Sequence, residues 1–493
     1  MKKIIAIICA LALTVTSFAA FAQTEGHWAE ETLENWMAQG LISGYADGSV
    51  MPDREVTRAE FAKLLYGALL KNSYIEENEG ESPFSDVTSV DWFFAPVCAL
   101  YQNRIMTGTT AQTFEPSGKM TREAAATAIA RAIGAEEHFS KKVSEYSDAD
   151  DVASYAEPYV AALTERGIMT GYGQNASLMP KKTITRAEAV TLIDRALRFA
   201  DKNMRPNMTA NFIDPFKFEN YSDQRLSMHF DSLKEAGMTD IVIDWCCVTT
   251  LGTVIEDHTG ENGAVELILK QAQQHGMRVY VGLNFSEEWW SQSEDKAWRS
   301  EQLEIAREQA QKLYEAYGEK YSDAFYGWFF PWTVYAGGDM SDWAGEFIGD
   351  YKAMLENTGK PMRVSAVLTG SEHAVRDWKK ILEKSSLDEN DVLCLRDLQG
   401  ERINEMGGLI AAVYEAAQQT GCPKLWAVIS LCDGETPNTL ALSSVIRSMR
   451  IAAPYVDKIG GDSYSAHFCP DMKRTQEHHE QYLSYLNGGD KGE

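Results

Sequence analysis

The feature that most limits what this chain can fold into is a short motif that returns at a fixed interval. Thr57-Arg58-Ala59-Glu60 recurs as Thr121-Arg122-Glu123-Ala124 and as Thr185-Arg186-Ala187-Glu188, with successive arginines 64 residues apart. A fixed period with matching flanks marks copies of one supersecondary unit that must stack on its neighbours to bury a core. Each copy opens on an aromatic segment: His27-Trp28-Ala29, Asp91-Trp92-Phe93 or Ser154-Tyr155-Ala156. A helix and a glycine turn follow, then Pro52, Pro116 or Pro180, and the motif then begins a second helix. The repeats span 24–72, 84–136 and 146–200, and a polar linker at 201–208 separates them from a different kind of sequence.

The motif reads first as a capping box. Thr caps the helix, and a Glu three residues on reaches back to the cap's own N–H. That accounts for Thr57 with Glu60 and for Thr185 with Glu188, whereas the second copy has its acid one position early, at Glu123. It does not account for the arginine, which sits at the positive end of the helix dipole at a cost of a few tenths of a kcal/mol. Unbonded N–H groups at a helix start beside a guanidinium would form an anion site. The alternative is a salt bridge between repeats.

On these residues the region 24–200 resembles three tandem S-layer homology (SLH) domains. The resemblance rests on the opening aromatics, the Gly44-Tyr45-Ala46-Asp47-Gly48 turn and the Thr-Arg-Ala-Glu signature. It implies a helical pseudo-threefold trimer that binds secondary cell-wall polysaccharide, often pyruvylated, in grooves between repeats. It further implies that Arg58, Arg122 and Arg186 meet glycan carboxylates, with Asp47, Gly48, Trp28 and Trp92 among the glycan contacts. The second turn reads Ala111-Gln112 and the third Asn175-Ala176 where the first has Asp47-Gly48, so weaker grooves are expected there.

The N-terminus agrees with export. Met1-Lys2-Lys3, an apolar run from Ile4 to Val15 and Ala20-Phe21-Ala22 have the order of a signal peptide cleaved after Ala22. No later run is apolar for long enough to span a bilayer, so a secreted chain attached to the cell wall or S-layer is expected. A net charge of −26 excludes a nucleic-acid binder, since phosphate contact needs concentrated Lys and Arg. Of eight Cys, Cys9 falls in the signal, and an odd remainder without a CxxC pair argues against a disulfide framework or a zinc site. No cofactor or metal is implied.

From residue 209 to about 487, short apolar strands alternate with amphipathic helices. Strands are expected at 211–217, 240–247, 278–285, 325–332, 362–369, 391–397, 424–431 and 456–463, with helices between them. Eight such units predict a (β/α)₈ barrel, with an open doubly wound sheet as the alternative. Chemistry in such barrels sits at the C-terminal ends of the strands. Those ends carry Asp214, Asp244-Trp245, Asn284, Trp332, Arg396-Asp397, Asp433, Glu435 and Asp462. Nine of the 12 Trp lie in this module, and aromatic faces beside a polar cleft suit sugar rings. Trp245, Asn284, Trp289, Trp290, Trp332 and Asp433 are the expected substrate contacts, and Asp397, Asp244 and Glu435 the candidate catalytic acids.

The module also resembles domain of unknown function 4434, whose members look like TIM-barrel glycoside hydrolases. The resemblance is carried by Phe230 to Met238, Val281-Gly282-Leu283-Asn284, Glu288-Trp289-Trp290, Tyr326-Gly327-Trp328-Phe329, Asp391 through Gly400 and Leu425-Trp426-Ala427. It implies a carbohydrate-active barrel and an acid after the fourth and near the seventh strand. Trp332-Thr333-Val334 and Ile429-Ser430-Leu431 stand there instead. Arg396 beside Asp397 suggests an ion pair between neighbours. The sequence thus predicts a wall-anchored protein presenting an oligosaccharide- or polysaccharide-binding barrel with degenerate acids. The alternative is a glycoside hydrolase using Asp397 and a second mouth carboxylate.

Overall fold

A computed structural model describes residues 24, 26–45, 49–72, 74–75, 81–136, 143–172, 177–203, 205–370, 373–396, 403–421, 424–432, 438–470 and 473–487. The chain divides between Arg205 and Pro206 into two compact units. The expected signal segment, 1–22, lies outside the described residues. Among those described, no helix is long and apolar enough to cross a membrane.

The first unit contains two helices per repeat. Glu30–Ala38, Phe94–Gln102 and Glu157–Glu165 come first in their copies; Arg58–Lys71, Arg122–Ile133 and Arg186–Asn203 come second. Thr57 and Thr121 cap their helices as expected. Thr57 with Glu60 completes a capping box, Thr185 with Glu188 makes the same reciprocal bonds, and Thr121 lacks the returning acid. The residues two before each arginine close a ring. The Val56 N–H donates to the Ile184 carbonyl, Ile184 to Met120, and Met120 to Val56, at 3.0–3.1 Å. All three side chains are buried. The 64-residue period is therefore a pseudo-threefold axis whose centre is a cycle of backbone hydrogen bonds among apolar residues.

The second unit is a closed parallel barrel. Its strands are β1 (Ala210–Ile213), β2 (Asp240–Ile243), β5 (Arg278–Gly282), β7 (Phe325–Val334), β8 (Met362–Val367), β9 (Val392–Arg396), β10 (Lys424–Ser430) and β11 (Lys458–Asp462), and β11 closes on β1. All eight fall within or against the expected windows. Phe212, Tyr280, Phe329, Cys394 and Trp426 fill the barrel interior, while a larger apolar layer joins the strands to the surrounding helices. One element departs from the expectation. β3 (Cys247–Thr250) and β4 (Thr253–Asp257) form an antiparallel hairpin that pairs with β6 (Asn284–Phe285) beyond the end of β5. The windows 240–247 and 278–285 each ran through the end of a barrel strand into this small sheet.

Candidate functional site

The helix-start amides are not available to an anion. The N–H groups of Arg58 and Ala59 donate to the carbonyls of Gly118 and Pro116, those of Arg122 and Glu123 to Lys182 and Pro180, and those of Arg186 and Ala187 to Arg54 and Pro52. Each helix start is thus docked on the turn of the next repeat in a cycle. The guanidinium groups follow the same route. Arg58 donates to the carbonyls of Phe114 and Thr107, both at 2.9 Å; Arg122 to the Tyr172 hydroxyl at 2.9 Å and the Thr170 carbonyl at 2.7 Å; Arg186 to the Ser43 carbonyl at 2.6 Å. Each also lies over an aromatic ring of that turn, Phe114, Tyr172 or Tyr45, at 4.5–4.8 Å. Neither a salt bridge nor an unbonded amide cradle explains the repeated arginine. It ties one repeat to the backbone of the next, and burial pushes the pKa of Arg58 and Arg122 down.

What remains open is the space beside each arginine. A groove of about 270 Å³ joins Trp28 of the first repeat, Arg122 of the second, and Tyr172, Glu188 and Arg195 of the third. Trp28 is 62% exposed. Arg195 is exposed and makes no ion pair among the described residues. Glu188 is opposed by burial but held low by bonds from Tyr172, the Thr185 N–H and Lys182, so it stays ionised and fixes the Tyr172 hydroxyl. At the first turn Arg186 lies over Tyr45, whose hydroxyl donates to Glu60 at 3.3 Å, and Lys63 stands 5.4 Å from the Trp92 ring. At the second turn Thr109 replaces the tyrosine and Ala124 the glutamate. Asp47 and Gly48 lie outside the described residues. Sequence reading passed over Arg195, although Arg131 stands 64 residues before it and the period alone could have found it.

At the barrel mouth one cation organises the acids. Arg396, the last residue of β9, donates to Asp244 at 2.5 Å and to Asp462 at 3.0 Å. These acids end β2 and β11, so three strand ends converge on one guanidinium. The close approach of β5 to the Asp244 backbone requires Gly282, since a Cβ there would stand 2.2 Å from the Asp244 carbonyl oxygen. Burial pushes the Asp244 carboxyl up to about 7, Arg396 opposes this, and Asp462 adds to it. Arg396 is shared between two carboxyls, and like-charge repulsion from Asp462 adds to the burial that keeps Asp244 protonatable. The two carboxylates raise the pKa of Arg396 in turn, although burial opposes it. Asp214, at the end of β1, caps the turn Pro215–Phe218 through the Phe216 N–H.

Several expected contacts are elsewhere. Trp289 and Trp332 are fully buried, packed with Trp298 at ring distances of 5.4–6.3 Å in the layer between barrel and helices. Alternation along β7 places Trp332 there: Trp328, Phe330, Trp332 and Val334 share the outer face, while Phe329 faces the barrel interior. Asn284 is buried, its amide donating to Gln302 at 2.9 Å. Trp290 is 65% exposed, and Trp245 is half-buried at the outer end of a stack through Phe285 to Trp332. Arg396 pairs across the barrel with Asp244 and Asp462. Asp397, Asp433 and Glu435 lie outside the described residues.

These features define a class: a repeat unit of the surface-layer type ahead of a parallel α/β barrel. The chain belongs to the DUF4434 family, a domain of unknown function whose model matches residues 208–474, more than half of its length. The S-layer homology domain matches residues 23–62, 83–126 and 145–190. The repeat region is similar to the Surface-layer 125 kDa protein of Lysinibacillus sphaericus, 29% identical over 176 residues, covering 35% of this chain and 14% of that protein. It is also similar to the Surface layer protein of Brevibacillus choshinensis, 33% identical over 144 residues, covering 28% and 13%. The chain therefore spans about a seventh of the length of these curated relatives. A solved structure named "putative alpha-L-fucosidase", from Bacteroides thetaiotaomicron VPI-5482, is 16% identical and covers 58% of this chain and 94% of that one at a TM-score of 0.48. With its three S-layer homology domains, this is a cell-wall-attached surface protein carrying a (β/α)₈ barrel.

Proposed function

We propose that the repeat unit holds the protein on an acidic secondary cell-wall polysaccharide, and that the barrel presents a carbohydrate-binding mouth. The observation that carries the first part is the groove of Trp28, Arg122 and Arg195. An exposed indole offers a face to a sugar ring, and an unpaired guanidinium beside it offers a fork to a carboxylate such as a pyruvyl acetal. Arg58 at the second turn, and Arg186 with Trp92 at the first, are the equivalent proposed contacts. Asp47 and Gly48 remain proposed contacts of that first-turn groove.

Arg122 is a poor probe, because its loss also unties two repeats. Trp28 and Arg195 are both exposed, so Trp28→Ala and Arg195→Gln leave the buried ties between repeats in place. The double variant should sediment with purified cell walls on the order of tenfold less well, with an unchanged melting profile. Walls stripped of pyruvate should retain the wild type equally poorly. Undiminished sedimentation of the double variant would remove the groove from the anchoring account.

In the barrel, Trp245 and Trp290 are the proposed sugar platforms above Asp244, Arg396 and Asp462. A second reading, glycoside hydrolysis, is favoured by one observation: Asp244, whose pKa burial raises to about 7, shares Arg396 with a second mouth carboxyl, Asp462, placed to take the other role. Hydrolysis needs that division of roles between two acids. Asp397, Asp433 and Glu435 stay in the proposal as further mouth acids. If Asp244 is the proton donor, product release from a polysaccharide panel falls as pH rises through about 7, and Asp244→Asn abolishes it. Binding without product from the wild type on any member of the panel leaves the barrel a binding module.

The same group sets a stability slope. Its folded pKa, about 7, lies above the ordinary 3.8, so between these values the folded chain holds a proton that the unfolded chain has released. Barrel stability should therefore be full below this window, decline as pH rises through it and level off above it. Asp244→Asn should flatten that decline in denaturant titrations run across the window.

A further inference from the structure

The barrel is open at the end away from its mouth. The N-terminal ends of β5, β7, β8, β10 and β11 surround a cavity of about 1050 Å³, as large as the pockets that hold small ligands. That end of a (β/α)₈ barrel ordinarily serves packing rather than chemistry. Here it is lined by Arg278, Lys352, Lys360, Arg363, Lys424 and Lys458. In a chain of net charge −26, six cations around one cavity do not follow from composition.

Half of them are neutralised. Arg278 and Lys458 share the buried Asp240 at 2.8 and 2.6 Å, and Lys352 reaches Asp388 and Asp391, both at 2.6 Å. The other three form no ion pair among the described residues. Arg363 is the telling one, because it is only 6% exposed. It donates to the Tyr280 hydroxyl at 2.8 Å and to the carbonyls of Asn390 and Met362 at 2.9 and 3.3 Å, and its Nε has no partner. Its guanidinium carbon stands 4.2 Å from the centroid of the Tyr280 ring and 5.0 Å from that of Trp426, so aromatic faces and carbonyls hold the charge where a carboxylate would be expected. Lys360 rests on the Phe325 carbonyl and ring, and burial pushes its pKa down with no carboxylate opposing it. Lys424 is exposed at the rim. Glu356 and Asp457 also line the cavity, and Asp457 is occupied by the Leu425 N–H at 2.9 Å.

A buried cation without a counter-ion is costly, and the cost falls when an anion arrives. We propose that this cavity binds a small organic anion bearing a carboxylate or a phosphate, with Arg363 at its floor and Lys360 and Lys424 at its walls. The site is separate from the mouth and does not depend on what the mouth does.

Calorimetric titration of the full chain with inorganic phosphate, D-glucuronate and neutral D-glucose tests it. At least one anion should bind with heat that glucose does not reproduce at the cavity, as read by its loss in the double lysine variant below, and the anion that binds identifies the group recognised. Lys360→Gln with Lys424→Gln leaves no acid unpaired and should weaken that binding on the order of tenfold without changing the melting profile. Arg195→Gln controls for anion uptake by the repeat unit and should leave the barrel isotherm unchanged. Absence of heat from both anions at millimolar concentration overturns the proposal. So does wild-type affinity in the double lysine variant.

Discussion

Arg396→Ala is expected to cost the barrel unit about 3–5 kcal/mol, the penalty for removing one partner of a buried ion pair and leaving the other charge uncompensated. Asp244 is buried and has no other cation within an ion-pair distance among the described residues. Without Arg396 its carboxyl must be protonated or pay for desolvation, so its pKa rises further. The loss should therefore be larger near about pH 8 than near about pH 5. Denaturant unfolding that follows the barrel transition at both pH values reads this directly. Adding Asp244→Asn should recover part of the loss, because the acid that suffers most is then neutral. A loss below about 1 kcal/mol at both pH values would mean that solvent already screens the cluster, as it does for surface pairs.

That cluster shows where sequence reading stops. Arg396 and Asp397 are adjacent, and adjacency suggests an ion pair. The acids that Arg396 meets are brought to it by closure of the barrel, which adjacency in the chain does not show. Asp244 and Asp462 are 218 residues apart and share a guanidinium only because β11 pairs with β1 and β1 with β2. The architecture itself was legible. Local periodicity carries both the 64-residue repeat and the eight strand windows, and neither needs knowledge of distant contacts. The small sheet is not legible because β3 and β4 are short, β4 is exposed along its whole length, and the pairing of β3 with β6 is non-local. Capping leaves the arginine at each helix start unexplained, and that much is legible in the sequence. Its partner was not legible, since the carbonyls of Phe114, Thr170 and Ser43 belong to the next repeat around a ring that only the closed trimer creates.

The aromatic residues give the second large effect, and it runs against their reading as a sugar-binding rim. Trp332→Ala should destabilise the barrel by about 3–5 kcal/mol, the range for emptying a fully buried large aromatic site. Its ring packs on Phe285 at 5.6 Å, Trp289 at 5.4 Å and Trp298 at 5.5 Å, and three rigid rings cannot collapse into the space it leaves. Trp290→Ala removes a side chain that is 65% exposed and should change stability by no more than about 0.5 kcal/mol. The two variants should separate oppositely in a glycan-binding assay. Trp332→Ala, measured where it is still folded, should bind as the wild type does, and Trp290→Ala should bind more weakly. The sequence treats these tryptophans alike, because composition counts aromatic rings without saying which side of a strand they leave. Alternation along β7 makes that choice, sending Trp332 into the helix layer with Trp328 and Phe330, so Trp245 is the outermost ring of its stack and the one a sugar could reach. If Trp332→Ala lost binding while keeping its stability, the ring would have to face the mouth, and the packing account of the aromatic cluster would fail with it.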